Sequence, residues 1–177
     1  LYMAIEGKLA AVICIEDPLR EEAVEVIREL RKAGLSKIVM MTGDSERTAK
    51  AIAKRVGVDE YYAEVLPEDK AEFCEREKAA GRKVIMIGDG INDSPALSAA
   101  NVGIAISDGA EIAREIADIT VGADNLKELV TLKKISNGLI KRISHNYHSI
   151  VGFNAGLIAL GVAGIIMPTT SALLHNT

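Results

Sequence analysis

The chain has 177 residues, of which 49% are hydrophobic and 26% are charged, and its formal net charge is −4. This length suits one domain with an appendage, and the acidic balance argues against a nucleic-acid-binding surface as the main function. The two cysteines, Cys14 and Cys74, show no CxxC spacing, so the sequence favours a reducing compartment and argues against a disulfide framework or a cysteine metal site.

Residues 9 to 121 alternate between apolar segments typical of strands and amphipathic segments typical of helices. The pattern predicts an α/β fold with a doubly wound parallel sheet that helices cover on both faces. The predicted strands are "LAAVICI" (9–15), "KIVMM" (37–41), "YYAEV" (61–65), "KVIMI" (83–87), "VGIAI" (102–106) and "DITV" (118–121). The predicted helices are "LREEAVEVIRELRKAG" (19–34), "SERTAKAIAKRVG" (45–57), "PEDKAEFCEREKAAG" (67–81), "SPALSAA" (94–100) and "GAEIAREIA" (109–117).

The last third of the chain differs in composition from the α/β part. Residues 125–146 predict a charged helix that acts as a stalk, and no residue from Ile150 to Met167 is charged. With its flanking tyrosine this run approaches the roughly 20 residues that cross a bilayer, so 147–167 predict a transmembrane helix and 168–177 the start of a second one. A buried helix of a soluble core is the alternative. The apolar run is preceded by a cationic flank, which consists of Lys133, Lys134, Lys141 and Arg142. Because such flanks lie on the cytoplasmic side of a membrane, we expect residues 1–124 to be cytoplasmic.

Thr42-Gly43-Asp44 follows the predicted strand "KIVMM". In doubly wound folds ligands bind at the carboxyl ends of the strands. A hydroxyl, a flexible backbone N–H and a helix N-terminus together suit phosphate oxygens. Taken alone, the same three residues also fit an ordinary helix cap with a turn glycine.

Asp89 and Asp93 follow the predicted strand "KVIMI" and bracket Gly90 and Asn92. Mg²⁺ takes one or two carboxylates together with water and phosphate oxygens, so this loop predicts a magnesium site. A simple cap of the next helix would not require Asp89, Gly90 and Asn92 as well. Lys70, in "PEDK", would neutralise charge during phosphoryl transfer if it lies near a phosphate, although a lone lysine there is usually solvated.

The segments "MMTGD", "PEDK" and "MIGDGINDSPAL", in this order and at these intervals, resemble the phosphorylation domain of P-type cation-transporting ATPases. This domain is a branch of the haloacid-dehalogenase-like phosphotransferases. "IEDPLR" (15–20), "VGIAI" and "EIAREIADITV" resemble further parts of the same domain, and the apolar tail is similar to membrane helices of the heavy-metal subgroup.

The resemblance implies roles for individual residues. Thr42, Gly43 and Lys70 would contact the phosphoryl group, and Asp44 would lie at the nucleotide. Asp89 would bind Mg²⁺, and Asn92 and Asp93 would hold the phosphoryl site together. The implied cofactors are ATP and Mg²⁺, and the implied activity couples hydrolysis of an aspartyl phosphate to cation transport across the cell membrane by a multi-pass protein.

The nucleophile of that family lies in a DKTGT motif, which this sequence does not contain. Asp17 is a poor replacement because Pro18-Leu19-Arg20 after it offers no phosphate cradle. The chain opens with Leu and has no signal peptide, so we expect a fragment that needs the missing amino-terminal part of the pump and is inactive alone. The alternatives are a truncated, membrane-anchored module that binds Mg²⁺ or phosphate, a decayed gene, or a soluble phosphatase.

The transported cation is expected to be a divalent heavy metal, since the Asn-Pro and Met-Ser-Ser pattern usual for copper is not seen. Candidate ligands are Asn154, His175 and Asn176, because polar groups at membrane depth are often functional. Asn154 fits equally well as a contact between helices beside Gly152 and Gly156, whose GxxxG spacing permits close helix packing.

Overall fold

The computed structural model describes residues 2–12, 19–89, 92–106, 115–122, 125–167 and 169–170. The chain divides into two compact units, Leu1–Val130 and Thr131–Thr177. The first unit contains all the described strands, and it carries the loops that the sequence marks as candidate sites.

The chain begins with an antiparallel hairpin of β1 (Tyr2–Ile5) and β2 (Lys8–Val12). Its two-residue turn has positive φ angles, 51° at Glu6 and 75° at Gly7, which match the twist of the flanking strands. The prediction of a buried parallel strand over 9–15 is therefore wrong for its described part, which is antiparallel and largely exposed. The remainder of that predicted strand, 13–15, lies outside the described residues.

The remaining elements of the first unit follow the predicted order. They are α1 (Ala23–Lys32), β3 (Val39–Met41), α2 (Glu46–Val56), β4 (Glu60–Tyr62), α3 (Pro67–Ala79), β5 (Ile85–Gly88), α4 (Ser94–Ala99), β6 (Val102–Ile106) and β7 (Ile119–Val121). Most of the predicted helix over 109–117 lies outside the residues that the structure describes.

Local signals account for these boundaries. Ser45 precedes α2 in an extended conformation, and Gly57 ends the helix in the left-handed conformation that glycine adopts without cost. Gly34 ends α1 in a similar way, with a positive φ of 102°. The Leu35 N–H then donates back to the Leu30 carbonyl at 3.2 Å. Pro67 stands in the first turn of α3, where its missing N–H leaves no hydrogen bond unmade.

The parallel strands form two sheets rather than one within the described residues. β3 pairs with β4, and β5, β6 and β7 pair in that order. Both sheets are parallel, as the apolar strand pattern predicted. The carboxyl ends of β3 and β5 lead directly into the two predicted site loops.

The core of the first unit lies where α4 packs on β6. Leu97 is 1% exposed and Ala105 is completely buried, and Met86 packs against them. A Cβ on Gly103 would lie 2.7 Å from the Leu97 carbonyl oxygen, so the helix approaches the strand more closely than another residue would allow. This close packing fixes the position of α4, whose amino end carries a site residue.

α5 (Lys127–Val162) is a single continuous helix that includes the predicted stalk and most of the predicted transmembrane segment. It ends before the predicted boundary at 167, because Gly164 adopts a φ of 72° and the Ile165 N–H donates back to the Leu160 carbonyl at 3.0 Å. Among the helices in the described part of the chain, none is both long and apolar enough to cross a bilayer. The predicted second membrane helix, 168–177, lies almost entirely outside the described residues.

Candidate functional site

The loop Thr42-Gly43-Asp44 is held in place by the loop after β4. The Thr42 N–H donates to the Tyr62 carbonyl at 3.0 Å, and the Val65 N–H donates to the Thr42 carbonyl at 3.0 Å. The Glu64 N–H donates to the Asp44 carbonyl at 2.9 Å. The β3–β4 ladder therefore continues past both strand ends and fixes the backbone of the predicted phosphate loop.

Glu64 makes this arrangement with a φ of 54°, in the left-handed region that non-glycine residues rarely adopt. Sequence reasoning missed this residue, because a glutamate carries no signal for positive φ. Such conformations persist where surrounding contacts hold them, and they concentrate near functional sites.

The side chains of Thr42 and Asp44 orient each other. The Thr42 hydroxyl donates to Asp44 Oδ2 at 2.9 Å and accepts from the Asp44 N–H at 3.1 Å. Gly43 between them has room for a side chain, because the atom nearest to a Cβ placed there would be the Val65 carbonyl oxygen, at 3.9 Å. The hydroxyl and the backbone are thus set at the end of β3, where a ligand of a parallel sheet binds.

The second loop begins at Asp89, directly after β5. The Asn92 N–H lies 3.3 Å from Asp89 Oδ1, so the two ends of the loop are joined. Asp93 then takes the N-cap position of α4. Gly90 and Ile91 lie outside the described residues.

Lys70 and Asp93 form an ion pair with 2.7 Å between Nζ and Oδ1. Their side chains are 15% and 13% exposed, which makes this the most buried ion pair among those of the described residues. The structure thus brings together two predicted site residues that are 23 positions apart in the sequence.

Gly88 is the reason that Asp93 can lie against β5. A Cβ on Gly88 would overlap the Asp93 carboxyl group. Sequence reasoning assigned no role to Gly88, although its position between an apolar strand and a carboxylate loop is where a close approach is expected.

Lys70 reaches Asp93 because α3 begins just before it. Asp69 Oδ2 accepts from the Leu66 N–H at 3.0 Å and closes the first turn of the helix. One turn further on, Cys74 is 1% exposed, and burial raises the pKa of its thiol. Cys74 is therefore a neutral packing residue on the same side of α3.

Residues 62–70 connect the two halves of the site. Their first part holds the Thr42–Asp44 loop, and their last part places Lys70 on Asp93. The described residues thus supply a hydroxyl, backbone amides and three carboxylates (Asp44, Asp89 and Asp93) just after parallel strands, and one ammonium from the first turn of α3. This combination suits the binding of a phosphoryl group and a hard cation.

The other predicted ligands lie elsewhere. Asn154 is half-buried within α5, in the second unit of the chain, and His175 and Asn176 lie outside the described residues. In the described ranges, no three His, Cys, Asp or Glu side chains cluster as a metal site.

Residues 2–101 match the family model of the haloacid dehalogenase-like hydrolases. The chain is 44% identical over 174 residues to copper-transporting ATPase 2 of Rhizobium meliloti, covering 98% of this chain and 21% of the relative. It is 40% identical over 177 residues to the zinc-exporting P-type ATPase of Mycobacterium marinum, covering 99% of this chain and 24% of the relative.

A solved structure of a zinc-transporting PIB-type ATPase in its E2.Pi state superposes with a TM-score of 0.83 and 32% identity. The match covers 97% of this chain and 28% of that one. The chain spans about a fifth to a quarter of the length of the curated relatives it matches. It belongs to the haloacid dehalogenase-like hydrolase family, and its relatives are heavy-metal P-type ATPases, of which it matches a segment.

Proposed function

We propose that the chain provides the magnesium- and phosphoryl-binding loops of an ATP-driven heavy-metal cation transporter. The observation that carries this proposal is the partly buried Lys70–Asp93 pair, which lies against Gly88 at the end of β5. Stability alone does not require an ion pair here, because well-packed apolar side chains of similar volume are often as stabilising as a buried ion pair, whereas an ammonium suits phosphoryl transfer.

The donor set at the end of β5 fits Mg²⁺. Asp89 offers hard carboxylate oxygen directly after the strand, and its Oδ1 accepts from the neutral Asn92 N–H, whereas Asp93 Oδ1 is paired with the Lys70 ammonium, which would repel a cation. We therefore assign Asp89 as the principal ligand and Asp93 as a secondary one that also holds Lys70. When bound, Mg²⁺ would offset the negative charge on the phosphoryl oxygens.

The remaining residues of the site bind and orient the phosphoryl group. Lys70, held at the first turn of α3, would stabilise the negative charge of the transferred group. The Thr42 hydroxyl and the Gly43 backbone would contact its oxygens, and Asp44 would lie towards the nucleotide. Asn92 would keep the loop closed by its hydrogen bond to Asp89.

The attacking carboxylate must come from another part of the longer protein, because the printed sequence contains no DKTGT motif. In this proposal ATP phosphorylates that aspartate, and hydrolysis of the aspartyl phosphate drives cation movement. The α/β unit would lie in the cytoplasm beside the cell membrane, and the bilayer and the rest of the pump would be its partners.

The transported metal is proposed to be divalent. The relatives are named for copper, zinc and manganese, and Asn154, His175 and Asn176 are the candidate ligands in this chain. Each would be tested by substitution and by metal accumulation in cells that express the intact transporter.

The central experiment measures phosphoenzyme formation in the longer protein of which this sequence is part. Radiolabelled ATP should label an acid-stable intermediate, and Asp89→Ala should abolish the labelling at millimolar Mg²⁺. The matched control is Glu25→Ala, at an exposed carboxylate of the same unit that pairs with Lys127 instead. Equal labelling of the wild type and the Asp89→Ala variant would contradict the proposal.

A further inference from the structure

Two lysines of α3 contact the two ends of α4. Lys70 contacts Asp93, the N-cap of α4, at 2.7 Å. Lys78 Nζ donates to the carbonyl of Ala99, the last residue of α4, at 2.6 Å. The two helices pack side by side, and their amino ends meet at the site.

The spacing of the two lysines explains how one helix holds the other. Lys70, Cys74 and Lys78 are four residues apart in turn, so they lie along one ridge of α3. Lys70 and Lys78 are about 12 Å apart along the helix axis at 1.5 Å per residue. Asp93 and Ala99 span about 9 Å of α4 by the same measure.

The contact of Lys78 satisfies a carbonyl that has no partner within the helix. The last carbonyls of any helix lack an intrahelical N–H, and a cation there also interacts favourably with the helix dipole. The side chain of Lys78 is 30% exposed, and it lies 3.4 Å from Glu75 Oε1 as well. It is thus partly shielded from water, which strengthens its hydrogen bond to Ala99.

We propose that Lys78 is a positioning residue, which fixes α4 along α3 and thereby keeps Asp93 within reach of Lys70. Because α4 has only six residues, we expect it to move as a rigid unit. A shift at its carboxyl end is transmitted to Asp93 at its amino end. The functional meaning of this contact rests on the proposed function, whereas the contact itself can be tested by folding alone.

A double-mutant cycle with Lys78→Met and Lys70→Met tests the proposal on the full chain. Urea denaturation of each variant gives its folding equilibrium constant. We expect Lys78→Met to lower this constant about tenfold in the wild-type background. In the Lys70→Met background the loss should be smaller by at least about twofold, because the pair that Lys78 positions is already absent.

Two further variants complete the design. Lys78→Arg should restore the wild-type value because it can still donate to the Ala99 carbonyl, and Lys83→Met, at an exposed lysine before β5, should show no coupling to Lys70. Lys78→Leu, which also has no side-chain donor, replaces Lys78→Met if the latter does not fold. If Lys78→Met lowers the folding equilibrium constant equally in both backgrounds, Lys78 only caps the carboxyl end of α4. That result would overturn the proposal.

A spectroscopic readout separates positioning from stability. The ¹H–¹⁵N correlation of the Lys70 ammonium should be visible in the wild type and in Lys78→Arg at low temperature. It should broaden or disappear in Lys78→Met under conditions where that variant is still folded. An unchanged Lys70 signal in Lys78→Met would also overturn the proposal. Both measurements are independent of whether the chain takes part in phosphoryl transfer.

Discussion

Lys70 Nζ lies 2.7 Å from Asp93 Oδ1, and this contact joins the first turn of α3 to the N-cap of α4. It links the segment that holds the Thr42–Asp44 loop to the loop that contains Asp89. The pair is therefore the contact that joins α3 to the Asp89–Asp93 loop, and it is the first target for substitution.

Removal of either member of this pair should destabilise the chain. Lys70→Met leaves the Asp93 carboxylate largely buried without its partner, and Asp93→Asn does the same to the ammonium. We expect each to lower the free energy of unfolding by about 2–4 kcal/mol, and the double variant to lose less than the sum. Urea denaturation measures both values.

The matched control is Lys32→Met, which breaks an ion pair with Glu29 in which the lysine side chain is 64% exposed. Its effect should stay below about 0.5 kcal/mol, because the Lys32 ammonium lies largely in water in the folded chain as well. Equal effects of Lys70→Met and Lys32→Met would show that burial of the Lys70 pair has no energetic consequence.

Gly88→Ala should destabilise the chain and displace Asp93. The added Cβ overlaps the Asp93 carboxyl, so the loop or the strand has to move. We expect a loss of about 1–3 kcal/mol in the free energy of unfolding. Gly43→Ala is the matched control for stability, since a Cβ there meets its nearest neighbour at 3.9 Å. Similar losses in the two variants would contradict the close approach at Gly88.

Substitutions of Glu64 should follow the backbone preference for positive φ rather than charge. Glu64→Gly and Glu64→Asn should match or exceed the wild-type stability, because both residues adopt the left-handed region readily. Glu64→Val should lower the free energy of unfolding by about 1–2 kcal/mol. Thermal unfolding distinguishes these outcomes, and a neutral Glu64→Val would show that the loop changes its conformation freely.

Asp59 should make stability depend on pH in the acid range. The hydrogen bond from the Arg31 guanidinium, together with that from the Ile38 N–H, lowers the Asp59 pKa below its ordinary value of 3.8. A depressed pKa contributes stability above the unfolded value, and this contribution is lost as the pH falls from about 4 towards the folded value. Denaturation between pH 6 and pH 3 should show this loss.

Asp59→Asn and Arg31→Met should each flatten this acid dependence, since either change removes the contact that lowers the pKa. The difference in stability between the wild type and each variant should shrink as the pH falls below about 4. An acid dependence as steep in Asp59→Asn as in the wild type would place its origin at other carboxylates.

Most secondary structure of the first unit was predictable, because its signals are local. Ser45 and Gly57 mark the ends of α2, and Pro67 marks the start of α3. The β1–β2 hairpin was missed because Glu6-Gly7 is a weaker turn signal than Asn-Gly, and because the apolar residues after it resemble a buried strand. The end of α5 at Val162 was missed since glycines within an apolar run do not show which of them ends a helix.

The sequence by itself determined the residue types of the proposed site and their order, because carboxylates, glycines and a threonine after apolar strands are chemical requirements of phosphate and magnesium binding. Only the tertiary structure decided which of them meet. The Lys70–Asp93 pair, the approach of Asp93 to Gly88 and the backbone contacts of Glu64 all depend on the packing of α3 and α4 and on the pairing of β3 with β4. Such contacts join residues far apart in the chain, and local propensity carries no information about them.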